Sequence, residues 1–98
     1  MPKKWNFLSN HGLVILHIVR NRDATLREIA LATGLTERAV YQIVRELEQG
    51  SFIGKRKVGR RNTYSINEQA ILSYPAHGGV TLADIGRELM GLSAEPVR

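Results

Sequence analysis

TLREIALATGLTERAVYQIVRELEQG, residues 25–50, reads as two short helices joined by a tight turn. Thr25 can cap the first helix. Glu28 stands three residues on, so Thr25-Leu26-Arg27-Glu28 is a capping box. Ile29 and Ala30 follow on the inner face, and Gly34 sits where a left-handed residue ends the helix. Leu35 plugs the turn and Thr36 caps the second helix. Val40, Ile43, Val44 and Leu47 recur at steps of three and four as one apolar stripe, and Gly50 closes it. The other face carries Glu37, Arg38, Tyr41, Gln42 and Arg45, long side chains rich in hydrogen-bond donors that folding alone does not require.

Beyond Gly50, Phe52–Val58 reads as a strand and Asn62–Ile66 as its partner, with Gly59-Arg60-Arg61 as the hairpin tip. Ile53, Val58, Tyr64 and Ile66 can supply an inward face. Lys55, Lys57 and the tip arginines point out or beyond, Arg56 can face either way, and Asn62 is as much a turn residue as a ligand. Such a ribbon is marginal alone and must lean on the helices.

On the other side, residues 1–8 read as an extended lead-in in which Trp5, Phe7 and Leu8 can pack on the body or on a second subunit. Ser9 or Asn10 can cap a helix to about Asn21. Leu13, Val14, Ile15, Leu16, Ile18 and Val19 leave it almost no polar face, and a helix apolar all round is buried on more than one side. His17 interrupts that run. No Cys, His or acid stands beside it at ligand spacing, so it reads as a core or interface residue, and His11 and His77 have no better company for a metal. Residues 21–23 form a loop.

At the far end, Asn67-Glu68 caps a short turn of helix over 69–73, and residues 74–79 are a break. Thr81 caps a last helix, Leu82–Leu92, with Asp84 at the favourable third position. Leu82, Ile85, Leu89 and Leu92, spaced three, four and three, make a narrow seam suited to pairing helices. Thr81–Gly86 echoes Thr25–Ala30, a shared way of starting a short helix rather than a repeat. Residues 93–98 should fray. The divisions are a lead-in (1–8), a helix and ribbon domain (9–67) and a helical segment (68–98) with 82–92 as a candidate dimerisation helix.

With 98 residues, 43% of them hydrophobic, there is room for one core. An oligomer interface would help so small a chain bury enough surface. No cysteine is present, which removes disulfides and thiolate chemistry. The formal net charge is +5. Residues 1–22 hold Lys3, Lys4, Arg20 and Arg22 with no acid, and residues 49–67 hold Lys55, Arg56, Lys57, Arg60 and Arg61 with no acid. Basic charge clustered this way points to a polyanion partner. The apolar run Leu13–Leu16 is far too short to span a bilayer, so no membrane partner and a cytoplasmic location are expected.

A capped helix pair with a small residue at the crossing, a turn glycine and apolar anchors is the arrangement that lays a second helix into the DNA major groove. The order helix, helix-turn-helix, basic hairpin, helix resembles the winged helix-turn-helix transcriptional regulators of the MarR and ArsR kind. SNHGLVILHIVRN, TLREIALATGLTERAVYQIVRELEQGSFI and KRKVGRRNTYSI carry the resemblance, which covers about residues 6–67. Thr36–Val40, Gly50 and Val58–Tyr64 are especially similar to a group of small single-domain prokaryotic regulators. The resemblance implies a mainly α fold with a two- or three-stranded β wing, and a homodimer that binds double-stranded DNA and regulates transcription. MarR-type proteins carry longer dimerisation helices and ArsR-type sensors use Cys or His clusters, so an effector is left unassigned and no metal or cofactor is expected.

On this basis helix 36–49 enters the major groove. Arg38 and Gln42 reach base edges, by the pairing of Arg with guanine and Gln with adenine. Thr36, Tyr41 and Arg45 hold phosphates, and Glu37 accepts from a cytosine or favours the helix N-terminus. Lys55, Lys57, Arg60, Arg61 and Asn62, within wing 55–62, meet the backbone or minor groove. Leu13, Leu16 and His17 with Leu82, Ile85, Leu89 and Leu92 form the dimer interface. A winged helix used for protein contact is the alternative. An enzyme is not expected, since no nucleophile elbow, converging acid pair or phosphate-cradling loop is present.

Overall fold

In a computed structural model that describes residues 6–94, with side chains to Leu92, the chain is mostly helical with small antiparallel ribbons. It divides into two units, Met1–Ile66 and Asn67–Arg98. Lys3, Lys4 and Trp5, and the stretch 95–98 expected to fray, lie outside the described residues.

The first unit holds α1 (Asn10–Arg20), α2 (Leu26–Thr33), α3 (Glu37–Gln49), β1 (Ile53–Val58) and β2 (Arg61–Ile66). Each helix starts on a side-chain cap. Ser9 rather than Asn10 caps α1, accepting from the Gly12 amide at 3.1 Å. The Thr25 hydroxyl accepts from the Glu28 amide at 3.0 Å while the Thr25 amide donates to Glu28 Oε1 at 2.8 Å, a complete capping box. Thr36 accepts from the Ala39 amide at 3.0 Å. The residues before the last two caps, Ala24 and Leu35, pack in the core with Ile29 and Val40 four positions into their helices, the geometry of a hydrophobic staple. Gly34 ends α2 at φ 78°, left-handed, where a side chain is strained. Gly50 caps α3 at an ordinary φ of −82°, and Ser51, at φ 63°, takes the left-handed turn instead.

Val14, Ile18, Ala24, Ile29, Ala30, Val40, Ile43, Val44, Leu47, Ile53 and Tyr64 are the buried core. Full burial of each large aliphatic side chain here contributes about 1.5–3 kcal/mol over exposure. α1 departs from the expected all-round burial: Val14 and Ile18 face inward, Leu13 and His17 are half-buried, and Leu16 and Val19 remain 46% and 41% exposed.

β1 and β2 pair antiparallel from Ile53↔Ile66 to Val58↔Arg61. That register corrects the expected tip. The connection is the two residues Gly59-Arg60, with Gly59 at φ 63° in the first central position, where a type II′ hairpin requires glycine. Arg61 and Asn62 belong to β2, opposite Val58 and Lys57. Val58 was expected inward but is 55% exposed, because strand alternation sets Ile53, Lys55 and Lys57 on one face and Gly54, Arg56 and Val58 on the other. The ribbon is also stitched to the loop after α1, the Tyr64 amide donating to the Arg22 carbonyl at 2.9 Å.

The second unit holds α4 (Glu68–Leu72), β3 (Pro75–His77), β4 (Val80–Thr81) and α5 (Leu82–Ala94). Asn67 caps α4 through the Ala70 amide at 3.2 Å. The expected break over 74–79 is instead a small bulged hairpin turning at Gly78-Gly79. α5 starts on a second capping box, in which the Thr81 amide donates to Asp84 Oδ2 at 2.9 Å and the Asp84 amide to the Thr81 hydroxyl at 3.2 Å. It continues past Leu92 to Ala94, where fraying was expected. Among the described residues of this unit none is buried, and Leu89, Met90 and Leu92 are 58%, 73% and 68% exposed. Among the described residues no helix is long and apolar enough to cross a membrane.

Two glycines make opposite predictions. Gly34→Ala should lower stability by about 1–2 kcal/mol, because its side chain enters the left-handed region. Gly86→Ala, inside α5 with open space at its Cβ position, should raise it by up to about 1 kcal/mol. Chemical denaturation followed by circular dichroism reads both, and shifts of the same sign would contradict the two assigned backbone conformations.

Candidate nucleic-acid interface

The buried stripe of α3 dictates what its other side offers. With Val40, Ile43, Val44 and Leu47 turned inward, Thr36, Glu37, Arg38, Tyr41, Gln42 and Arg45 are all exposed. Four carry partners within the chain. The Thr36 hydroxyl accepts the cap bond described above, which leaves its own proton to donate. The Arg45 guanidinium lies 6.0 Å from the centroid of the Tyr41 ring, at the limit of a cation–π contact. Gln42 Nε2 donates to Glu46 Oε2 at 3.3 Å, one turn on.

Glu46 was not singled out by sequence, and neither was its second partner. His11 of α1 places Nε2 2.5 Å from Glu46 Oε1, so the histidine read as lacking company joins α1 to α3. Hydrogen bonds from His11 first, then from Gln42, hold the Glu46 carboxyl below its ordinary value of 4.5. Both side chains are about half exposed, 52% and 45%, so solvent screens the pair and its strength is modest.

The ribbon adds cations beside α3. Lys55 shares the ribbon face of Tyr64 and sets its ammonium 3.7 Å from Glu48 near the end of α3. Lys57 lies on that same face toward the tip, and Arg60 occupies the tip itself. Arg61, expected beside it, turns back: its guanidinium donates to the Asp23 carbonyl at 3.3 Å and fastens the ribbon to the loop after α1. Asn62 is partly buried in β2 beside the turn rather than at its tip. Tyr64 is buried at the root, and burial first, then Glu48, pushes its phenol above the usual 10.0.

Leu13, Leu16 and His17 lie on α1 and Leu82, Ile85, Leu89 and Leu92 on α5, in different units. Among the described residues no group of three or more His, Asp or Glu side chains is placed to hold a metal.

No family model matches the chain. Uncharacterized protein MJ1254 of Methanocaldococcus jannaschii is 31% identical to it over 67 residues. The aligned stretch is 67% of this chain but 14% of that protein, so the chain spans a small part of the relative it matches.

The Glu46 contacts predict a pH response. A carboxylate held low in the folded chain stabilises it above the unfolded value, and that contribution is lost as pH falls through the folded value. A carbon-13 titration of Glu46 should therefore show a midpoint below 4.5, and His11→Ala should move it back up. An unmoved midpoint in that variant would exclude His11 as the main cause.

Proposed function

We propose that the chain is a sequence-specific double-stranded DNA-binding transcription regulator of winged helix-turn-helix type, MarR- and ArsR-like, acting in the cytoplasm as a homodimer. The observation that carries it is the exposure of Arg38, Tyr41, Gln42 and Arg45 along one face of α3, with the cationic ribbon running beside that helix from Lys55. In this reading α3 lies in the major groove, Arg38 and Gln42 meet base edges, and Thr36, Tyr41 and Arg45 hold phosphates. Lys55, Lys57 and Arg60 follow the adjoining backbone or minor groove, and Arg61 acts from behind by steadying the ribbon. The acids along α3 do not cancel this charge uniformly, since Glu48 faces Lys55 and Glu46 is hydrogen-bonded by His11.

Support for a dimer is the uncovered apolar surface: Leu16 and Val19 on α1, and Ile85, Leu89 and Leu92 on α5. Two-fold related copies of α3 would read half-sites about one helical turn apart. One observation favours a protein partner instead. Leu31 on α2 is 76% exposed and borders an open groove of about 540 Å³ with Arg27, Leu35 and Glu37.

Titration with duplex DNA separates the two. Lys57→Ala with Arg60→Ala should weaken binding to every sequence and reduce the salt slope by about one to two phosphate equivalents. Arg38→Ala should cost about 1–3 kcal/mol on the preferred site alone. Equal losses from both variants on all DNA would reject base reading, and binding by neither variant nor wild type would leave the protein-contact reading.

Sedimentation at micromolar concentration should give a dimer that Leu89→Glu converts to a monomer. A monomeric wild type at that concentration would overturn the dimer.

A further inference from the structure

Gln42 and Glu46 stand one turn apart on α3, joined through Gln42 Nε2 and Glu46 Oε2 at 3.3 Å. The other carboxylate oxygen takes the hydrogen bond from His11 Nε2 at 2.5 Å. Glu46 is thus held at both oxygens, once from its own helix and once from α1. A glutamine amide has two N–H groups and one carbonyl oxygen. With the N–H anti to the carbonyl oxygen committed to Glu46, the edge left for a partner is the oxygen together with the N–H on its own side. An acceptor beside a donor is the complement of adenine N6 and N7. A glutamine free at this exposed position would occupy several rotamers and lose that freedom on binding. A carboxylate among phosphate-facing cations also lowers affinity for any duplex, so its presence is informative only if it sharpens selection.

We propose that Glu46, braced by His11, is a positioning residue that presents the Gln42 amide with its oxygen and one N–H outward, and thereby sets a preference for adenine at one base pair. The proposal deepens the DNA-reading function and rests on it.

Two measurements on the full chain test it. The first needs no DNA. The Gln42 side-chain amide resonances should differ from those of the exposed Gln49, and Glu46→Ala should bring them together. The second uses a duplex selected from random sequence, the same duplex with single pairs changed, and an unrelated duplex. Gln42→Ala should flatten the preference at one pair by about tenfold. Glu46→Ala should flatten the same pair by a similar factor while binding unrelated duplex as well as wild type or better. His11→Ala should do so in part, and Glu46→Gln, which keeps an oxygen for the Gln42 amide, should restore part of the preference. The double variant of Gln42 and Glu46 should be no flatter than Gln42→Ala alone. If Glu46→Ala does not fold, Glu46→Gln and His11→Ala carry the comparison.

Uniform loss of affinity in Glu46→Ala, or an intact preference there when Gln42→Ala has abolished it, would overturn the positioning role and leave DNA reading standing. Unmoved Gln42 resonances would overturn it without any DNA. A wild-type chain that prefers no sequence would overturn DNA reading and this proposal together, a failure distinguished by resonances that still respond to Glu46→Ala.

Discussion

Everything in the first unit depends on the rotational setting of α3. Its buried residues, Val40, Ile43, Val44 and Leu47, make up four of the eleven in the core, more than any other element supplies. A turn of the helix by one position, about 100°, would carry Tyr41, Arg45 and Glu48 inward in their place. Two of those are charged, and burying an unpaired charge costs far more than the apolar contacts return. The core therefore decides the outer face without touching it. Arg38, Tyr41, Gln42 and Arg45 point away because their neighbours cannot. The second fixed quantity is the height of α3 against α2, and Gly34 and the caps at Thr25 and Thr36 set it within a few residues.

The ribbon solves a different problem. Two strands alone are marginal, and these are fastened at several separate points along their length. Tyr64 is buried and its amide reaches the Arg22 carbonyl, Arg61 reaches the Asp23 carbonyl, and Lys55 meets Glu48. Three of these involve residues that the sequence presents simply as bases or as strand apolars. Of the five basic residues in the ribbon, Lys55 and Arg61 thus make contacts that hold it, while Lys57 and Arg60 stand toward its tip.

That division marks the boundary of what a sequence discloses here. Contacts that close within three or four positions were readable: the capping box at Thr25, the Thr36, Asn67 and Thr81 caps, the turn at Gly34 and the stripe on α3. Each depends on spacing along one chain segment, and spacing is written in order. His11 with Glu46 and Asp23 with Arg61 are 35 and 38 positions apart, and only the packing angles of whole helices bring them together. The hairpin tip failed for an intermediate reason. Gly59-Arg60-Arg61 suits a two- or a three-residue connection equally well, and the choice belongs to the register. Pairing Ile53 with Ile66 sets Tyr64 on the core face beside them, whereas a slip of one residue would turn it to solvent. Val58 was misplaced with it, since an apolar residue near a tip has no core to enter.

The second unit shows how far local rules go without a core. Its caps at Asn67 and Thr81 and its Gly78-Gly79 turn are as well formed as any in the first unit, yet none of its described residues is buried. Helix nucleation is unfavourable, and a single cap contributes about 1 kcal/mol, too little to hold a thirteen-residue helix by itself. The apolar spacing at Leu82, Ile85, Leu89 and Leu92 would add stability only by losing water from that face. A helix of this kind gains most from a matching surface brought to it, because its polar start is already satisfied and only its apolar side is not. Those same residues are the ones the proposed dimer would bury.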